Sequence, residues 1–117
     1  MITNAGYFDV MPGLEYQVAT VVILNETSKK LELWYMDHFQ MTKIECTIRE
    51  YVEALALTKG MYHWQYLYCH PNCRTKLDFR TRSYINQIIP YLQKAFPAVH
   101  YNDLIKRHQQ LIHPDIG

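Results

Sequence analysis

Cysteines and long apolar runs are scarce in this sequence, and each shortage excludes a class of protein. The longest apolar run, residues 21–24, is far too short to cross a bilayer. The first residues have neither the basic nor the apolar region of a secretory signal. The three cysteines, Cys46, Cys69 and Cys73, are too few and odd in number for a disulfide framework. We therefore expect a soluble, cytoplasmic protein with free thiols and no membrane partner.

The sequence also lacks the motifs of common enzymes. There is no glycine-rich phosphate loop, no G-x-S-x-G, no H-E-x-x-H and no dinucleotide-binding fingerprint. Asp37 and His38 are adjacent and could form half of an acid–base pair, but the polar end of a strand is the simpler interpretation. We therefore predict that the protein is not an enzyme and uses no cofactor.

A possible metal site is the run Cys69-His70-Pro71-Asn72-Cys73. Thiolate and imidazole groups are zinc ligands, and His63 is a further candidate nearby in the sequence. A structural zinc site needs four ligands, however, and its close cysteine pair is usually C-x2-C. No second Cys or His pair follows at zinc-finger spacing. We predict no metal and interpret these cysteines as ordinary loop and core residues.

Length and composition predict one folded domain. The chain has 117 residues, of which 49% are hydrophobic, which is enough for a core. Residues 1–13 contain Gly6, Pro12 and Gly13 and show no period, so we expect an irregular N-terminal arm. Residues 14–117 are then a single α+β domain.

The first part of that domain has the composition of a β-sheet. Residues 14–24 are rich in β-branched side chains, and residues 31–36 alternate between apolar and other side chains. A polar turn separates the two, which predicts an antiparallel hairpin. Residues 43–46 predict a short third strand.

Helices are predicted for the remainder. Thr47 and Glu50 fit a capping box, and Gly60 fits the residue after the helix end. The apolar face expected of this helix is Ile48, Tyr51, Val52 and Leu55. Residues 61–68 fit a short helix or a strand, and we favour the helix. Two more helices follow, at about residues 83–96, interrupted by Pro90, and after Asn102. The fold class predicted is α+β, an antiparallel sheet packed against helices, with a helical C-terminal half.

The aromatic run at residues 61–68 has two interpretations. We expect Trp64 to be buried, because an exposed run of this density would leave a large apolar patch. The competing interpretation makes the run itself a partner surface, with Trp64 and Tyr66 as binding residues.

A basic stretch provides a second candidate surface. Cations that could hold phosphates surround an aromatic ring that could stack on a base. The net charge of the whole chain is only +1, so we keep nucleic-acid binding as the alternative to protein binding. The residues of this stretch are Arg74, Lys76, Phe79, Arg80 and Arg82.

Four segments of the chain carry a likeness to a known family. They are residues 33–38 (LWYMDH), 47–55 (TIREYVEAL), 58–67 (TKGMYHWQYL) and 88–97 (IIPYLQKAFP). In this order they resemble part of the SUKH superfamily, which includes yeast cell-wall assembly regulators and bacterial immunity proteins. The resemblance covers about half of the chain and implies an α+β domain that binds another protein, in bacteria often a toxin that the domain neutralises. The predicted function is therefore non-catalytic protein binding, with toxin neutralisation by an immunity protein as its specific form.

Overall fold

A four-stranded antiparallel sheet forms the first part of the fold. The computed structural model describes residues 5–10 and 18–112. Each strand pairs with the next one in the chain, so the spatial order is the sequence order. The strands are β1 (Ala5–Val10), β2 (Val18–Asn25), β3 (Lys30–Asp37) and β4 (Gln40–Ile44).

The strand β1 corrects the prediction of an irregular arm over residues 1–13. Residues 5–10 pair with β2 and cover its outer edge, and unpaired edges are a liability in sheets. The register shifts between Tyr7 and Asp9. Such a shift interrupts the alternation of side chains, which explains why the sequence shows no strand period here. The rest of the predicted arm lies outside the described residues.

The helix α1 (Ile48–Thr58) begins where the capping box predicts. The Thr47 hydroxyl accepts from the backbone N–H of Glu50 at 3.1 Å, and the Glu50 carboxylate accepts from the N–H of Thr47 at 2.9 Å. These two bonds satisfy backbone donors that the first turn of a helix cannot pair internally. The helix ends at Thr58, and its C-cap residue Lys59 has a φ of 57°.

The predicted apolar face of α1 is confirmed at Tyr51 and is wrong at Ile48 and Val52. Ile48 and Val52 are exposed, Leu55 is half-buried, and the buried residues are Tyr51, Ala54 and Thr58. Tyr51 explains which face of α1 is turned toward the core, because its ring packs there and its hydroxyl has polar partners there. The Tyr51 hydroxyl donates to Asp9 (2.8 Å), lies 2.6 Å from the Thr20 hydroxyl and accepts from the Gln65 amide (3.3 Å).

Four further helices complete the described chain. The helix predicted at about residues 83–96 begins earlier, at Phe79. Its buried residues are Ile85, Ile88, Ile89 and Leu92, whereas Phe96, which follows it, is 39% exposed. None of the helices in residues 5–10 and 18–112 is long and apolar enough to cross a membrane. The elements are two 3₁₀ helices (Trp64–Tyr68 and Pro71–Lys76), α2 (Phe79–Ala95) and α3 (Asn102–Ile112).

The aromatic segment, residues 62–68, joins the sheet to the C-terminal helices. The N–H of Glu45 donates to the carbonyl of Tyr68 at 2.8 Å, and Ile44 forms a β-bridge with Cys69. Both α2 and α3 also contact the first 3₁₀ helix. The predicted class, an α+β fold with an antiparallel sheet and a helical C-terminal half, is confirmed.

Candidate functional site

An open cleft lies where the β3–β4 turn, the aromatic segment and the start of α2 meet. Its volume is about 720 Å³, which lies within the range of ligand-binding sites. Aromatic rings and charged groups of both signs share its wall. The lining residues that matter below are Asp37, Phe39, Tyr62, Tyr66, Lys76 and Arg80.

The β3–β4 turn holds a phenylalanine in solvent beside this cleft. Asp37 pairs with Gln40, so only His38 and Phe39 connect the two strands. His38 has a φ of 56°, a left-handed conformation that is uncommon for a residue with a side chain. The Phe39 side chain is fully exposed, at 104% of its reference area. A turn of two residues has no interior, so this ring cannot be buried locally.

Asp37 is the centre of a polar network in the cleft wall. The Tyr66 hydroxyl donates to Oδ2 of Asp37 at 2.7 Å, and Oδ1 lies 2.9 Å from Nδ1 of His38. Nδ1 of His63 lies 3.8 Å from Oδ2. Both carboxylate oxygens therefore have partners within the protein. A carboxylate with these contacts holds neighbouring side chains of the cleft wall in place. It is less suited to serve as a general acid or base.

His63 lies behind the cleft wall. Its Nδ1 is 3.0 Å from the Tyr35 hydroxyl, and the Tyr62 ring stacks on the imidazole with a centroid separation of 3.7 Å. Burial lowers the pKa of His63 to about 4, although the carboxylates of Asp37 and Asp78 act in the opposite direction. The imidazole is therefore neutral near pH 7. With 4% of its area exposed, it is enclosed by the protein.

The rim of the cleft carries positive charge from Lys76 and Arg80, which are both exposed. Asp78 lies between them in the sequence and caps α2, since it accepts from the N–H of Thr81 at 2.8 Å. This bond lowers the pKa of the Asp78 carboxyl. Within the described part of the chain, neither Lys76 nor Arg80 has a carboxylate at ion-pair distance.

The basic stretch is divided between two surfaces. Lys76 and Arg80 line the cleft, whereas Arg74 and Arg82 line a groove of about 100 Å³ beside the end of α3. Residues two apart on a helix point about 200° apart, which separates Arg80 from Arg82. Arg82 donates to the carbonyl of Leu77 at 3.0 Å, so its guanidinium is held against its own helix start. The structure therefore does not gather the stretch into one patch.

Phe79 lies between these two surfaces. As the first residue of α2, it follows the capping residue Asp78, and its side chain is 87% exposed. Asp78 and Arg80, its neighbours in the sequence, both line the cleft. Phe79 therefore adjoins the cleft and forms a second exposed ring near its rim.

The two aromatic candidates of the sequence analysis belong to the core, which corrects their assignment as exposed binding residues. Trp64 and Tyr66 are each 1% exposed, and the expected burial of Trp64 is confirmed. The Trp64 ring lies 4.8 Å from that of Tyr51 and 5.7 Å from that of Tyr68, between centroids. A 3₁₀ helix packed between the sheet and two α-helices leaves these rings no free side. Tyr66 reaches the cleft only as part of its wall.

The cysteine cluster lies apart from the cleft. Cys69 and Cys73 are buried, and the Cys69 thiol donates to the carbonyl of Gln65 at 3.4 Å. Nδ1 of His70 accepts from the N–H of Asn72 at 3.1 Å. In the part of the chain that the structure describes, no three His, Cys, Asp or Glu residues are grouped as metal ligands.

Sequence reasoning missed Phe39, Tyr62 and Tyr84, which all line the cleft. Of these three, only Phe39 could have been recognised from the sequence, because it is a large apolar residue in a polar turn between two strands. Comparison with known proteins adds no assignment, because no family model, curated protein or solved structure matches the chain. The resemblance to the SUKH superfamily stays a prediction.

Proposed function

We propose that this chain is a non-catalytic domain that binds another protein through the rim of the cleft. The observation that carries the proposal is the exposure of two phenylalanine rings there, 104% for Phe39 and 87% for Phe79. Rings of this kind lose unfavourable contact with water when a partner covers them, and aromatic residues are enriched in protein interfaces. The two rings are the anchors of the proposed interface.

The positive charge near the cleft indicates what kind of surface the partner presents. Residues 74–82 contain four basic residues and one acidic residue, a net charge of +3. Lys76 and Arg80 are exposed on the cleft side of this stretch. A partner with an acidic surface around apolar pockets would complement the two rings and the two cations. A small ligand confined to the cleft would leave Phe79, which does not line it, in water.

The resemblance to the SUKH superfamily supports a specific form of this proposal, an immunity protein that neutralises a bacterial toxin in the cytoplasm. Such a protein acts by covering the toxin's active site. The free thiols of Cys69 and Cys73 fit a reducing compartment. Because the exposed stretch is basic, the domain does not imitate a nucleic acid, and it would contact an acidic part of the toxin surface.

The test is calorimetric titration of the purified chain with the product of a neighbouring gene, taken as the candidate partner. We expect Phe39→Ala and Phe79→Ala each to weaken binding by about tenfold or more, as loss of an interface anchor does. Tyr91→Ala is the matched control, because Tyr91 is 59% exposed on α2 and does not line the cleft. The proposal fails if the three variants bind alike, or if the purified chain turns over a substrate and binds no protein.

The position of Phe79 among cations favours one alternative, binding of single-stranded nucleic acid. Its ring could stack on a base while Lys76 and Arg80, which both line the cleft, hold phosphates. Fluorescence anisotropy with a labelled oligonucleotide would then show binding that weakens steeply between about 50 and 200 mM salt. Phe39 separates the two functions, because it lies outside the basic stretch. Phe39→Ala should impair protein binding and leave oligonucleotide binding unchanged.

A further inference from the structure

Cys69 and Cys73 form a pair of buried thiols at the junction between the two 3₁₀ helices. Cys69 follows the first of these helices with an extended backbone, and Cys73 lies within the second. The backbone N–H of Cys73 donates to the carbonyl of His70 at 2.9 Å, so the chain turns between the two cysteines. Cys69 is 7% exposed and Cys73 is 3% exposed, and both belong to the hydrophobic core.

The two thiols contact each other. A hydrogen bond joins them, and it is the main reason why the pKa of Cys73 is lowered and that of Cys69 is raised. In this bond the Cys69 thiol is the donor and the Cys73 sulfur is the acceptor. A disulfide requires the two Cβ atoms to lie about 3.5–4.5 Å apart. Thiols that already share a hydrogen bond reach this geometry by small rotations of their side chains.

The two cysteines differ in their access to solvent. Cys73 lines an open pocket of about 220 Å³ between β4 and the second 3₁₀ helix, whereas Cys69 is not among its lining residues. The side chains of Lys43, His70 and Asn72, which also line this pocket, are exposed. A molecule of a few atoms that enters the pocket therefore meets Cys73 first.

The surroundings of Cys73 also favour its reactive form. Lys76 lies three residues further along the same 3₁₀ helix and lines the same pocket. Its positive charge adds to the hydrogen bond from Cys69 in lowering the pKa of Cys73, against the opposite effect of burial. The thiolate is the nucleophilic form of cysteine. In contrast, burial and then the charge of Glu50 raise the pKa of Cys46 to about 11.

We infer that Cys73, near the Lys76 ammonium, is an oxidation site for a small hydroperoxide such as hydrogen peroxide, and that Cys69 converts the oxidised form into an intramolecular disulfide. The Cys73 thiolate attacks one peroxide oxygen, the O–O bond breaks, and the hydroxide that leaves takes up a proton to give water. Cys73 is then a sulfenic acid. The Cys69 sulfur attacks the Cys73 sulfur, and the hydroxyl group leaves with the Cys69 proton as a second water. The two thiols are oxidised by two electrons, and one peroxide is reduced.

This inference concerns the isolated chain and does not rest on the proposed function. The disulfide would link two parts of the fold. Cys69 forms a β-bridge with Ile44 of β4, and Cys73 belongs to the helix that ends at Lys76 beside the cleft. Oxidation would therefore fix the second 3₁₀ helix against the edge of the sheet.

The experiment is treatment of the reduced chain with hydrogen peroxide, followed by alkylation of the remaining thiols in denaturant and mass measurement. We expect one of the three thiols to remain free, and peptide mapping to place the disulfide between Cys69 and Cys73. Dithiothreitol should restore all three thiols. A product that keeps three free thiols, or whose disulfide includes Cys46, overturns the inference.

Variants assign the two roles. Cys69→Ala removes the second thiol, so the sulfenic acid at Cys73 should persist and be captured by dimedone. Cys73→Ala should capture no dimedone at Cys69, and Cys46→Ala should form the disulfide as the parent does. If dimedone labels Cys69 in Cys73→Ala and labels nothing in Cys69→Ala, the assignment of Cys73 as the oxidation site is wrong.

A rate comparison needs no change in the core. In the parent chain, Cys73 should react with hydrogen peroxide about tenfold faster than Cys46, or more. Lys76→Gln, at an exposed position, should slow the oxidation of Cys73 by about threefold or more, because fewer molecules then carry the thiolate. Lys94→Gln, at an exposed lysine of α2, is the matched control and should react at the rate of the parent. Equal rates for Cys73 and Cys46, or for the two lysine variants, would contradict the inference.

Discussion

The buried and the exposed aromatic residues of this protein differ in chemistry as well as in position. Tyrosines occupy the core, and their hydroxyls find partners there: Tyr51 bonds to Thr20, Tyr66 to Asp37, and Tyr35 to His63. The fully exposed rings at the cleft are phenylalanines, Phe39 and Phe79. Five of the eight tyrosines whose burial the structure describes are buried, so these tyrosines belong to the core more than to a binding surface. Two isolated phenylalanines in polar surroundings are the better indication of a partner.

The largest expected effect comes from the centre of the buried group. Trp64→Ala removes a ring that is 1% exposed and packs between Tyr51 and Tyr68. We expect the free energy of unfolding to fall by about 3–5 kcal/mol, as for other large-to-small core changes. Urea denaturation measures this loss, with Tyr91→Ala as the exposed aromatic control. A loss below about 1 kcal/mol would show that Trp64 is not a core residue.

An effect of intermediate size should appear on acidification. Burial lowers the pKa of His63 to about 4, whereas its ordinary value, which applies to the unfolded chain, is 6.5. Between these values the unfolded state binds a proton that the folded state does not, so stability falls as the pH falls. The loss attributable to His63 should be about 2 kcal/mol by about pH 5, and it should be absent above about pH 7.

His63→Asn provides the comparison for this pH dependence. Asparagine does not titrate, and it tolerates the left-handed conformation of this position, where φ is 69°. Denaturation at about pH 7 and about pH 5 should show a smaller loss for the variant than for the parent. Equal losses would mean that a group other than His63 causes the acid sensitivity.

The comparison between buried and exposed residues also shows which features of the fold could be predicted from the sequence. The start of α1 was predictable, because a capping box depends on two residues that are three positions apart. The buried face of α1 was not, since the partners of Tyr51 come from β1, β2 and the aromatic segment. Side chains brought together by the tertiary fold leave no local pattern. Strand β1 escaped prediction for a related reason, because a register shift hides its period.

The site was predictable only in part. The basic stretch contains Lys76 and Arg80, which line the cleft, but its sequence could not show that α2 turns Arg82 toward a different groove. The density of the aromatic run around Trp64 and Tyr66 reflects the core and not a binding surface. The cleft itself joins three separated parts of the chain, a juxtaposition that spacing along one sequence does not reveal.

The smallest expected effect on stability belongs to the exposed rings. Phe39→Ala and Phe79→Ala remove side chains that are 104% and 87% exposed, so little buried surface is lost in either case. We expect the free energy of unfolding to change by no more than about 0.5 kcal/mol for each variant. Because the two residues lie on separate elements, the double variant should show the sum of the single effects.

Urea denaturation of the three Phe variants beside Trp64→Ala checks this expectation. It matters for the binding test, because a variant that keeps its stability and loses its partner has lost an interface contact and not its fold. A loss above about 1 kcal/mol in either single variant would mean that the ring packs against the protein. The comparison between core tyrosines and surface phenylalanines would then be wrong at that position.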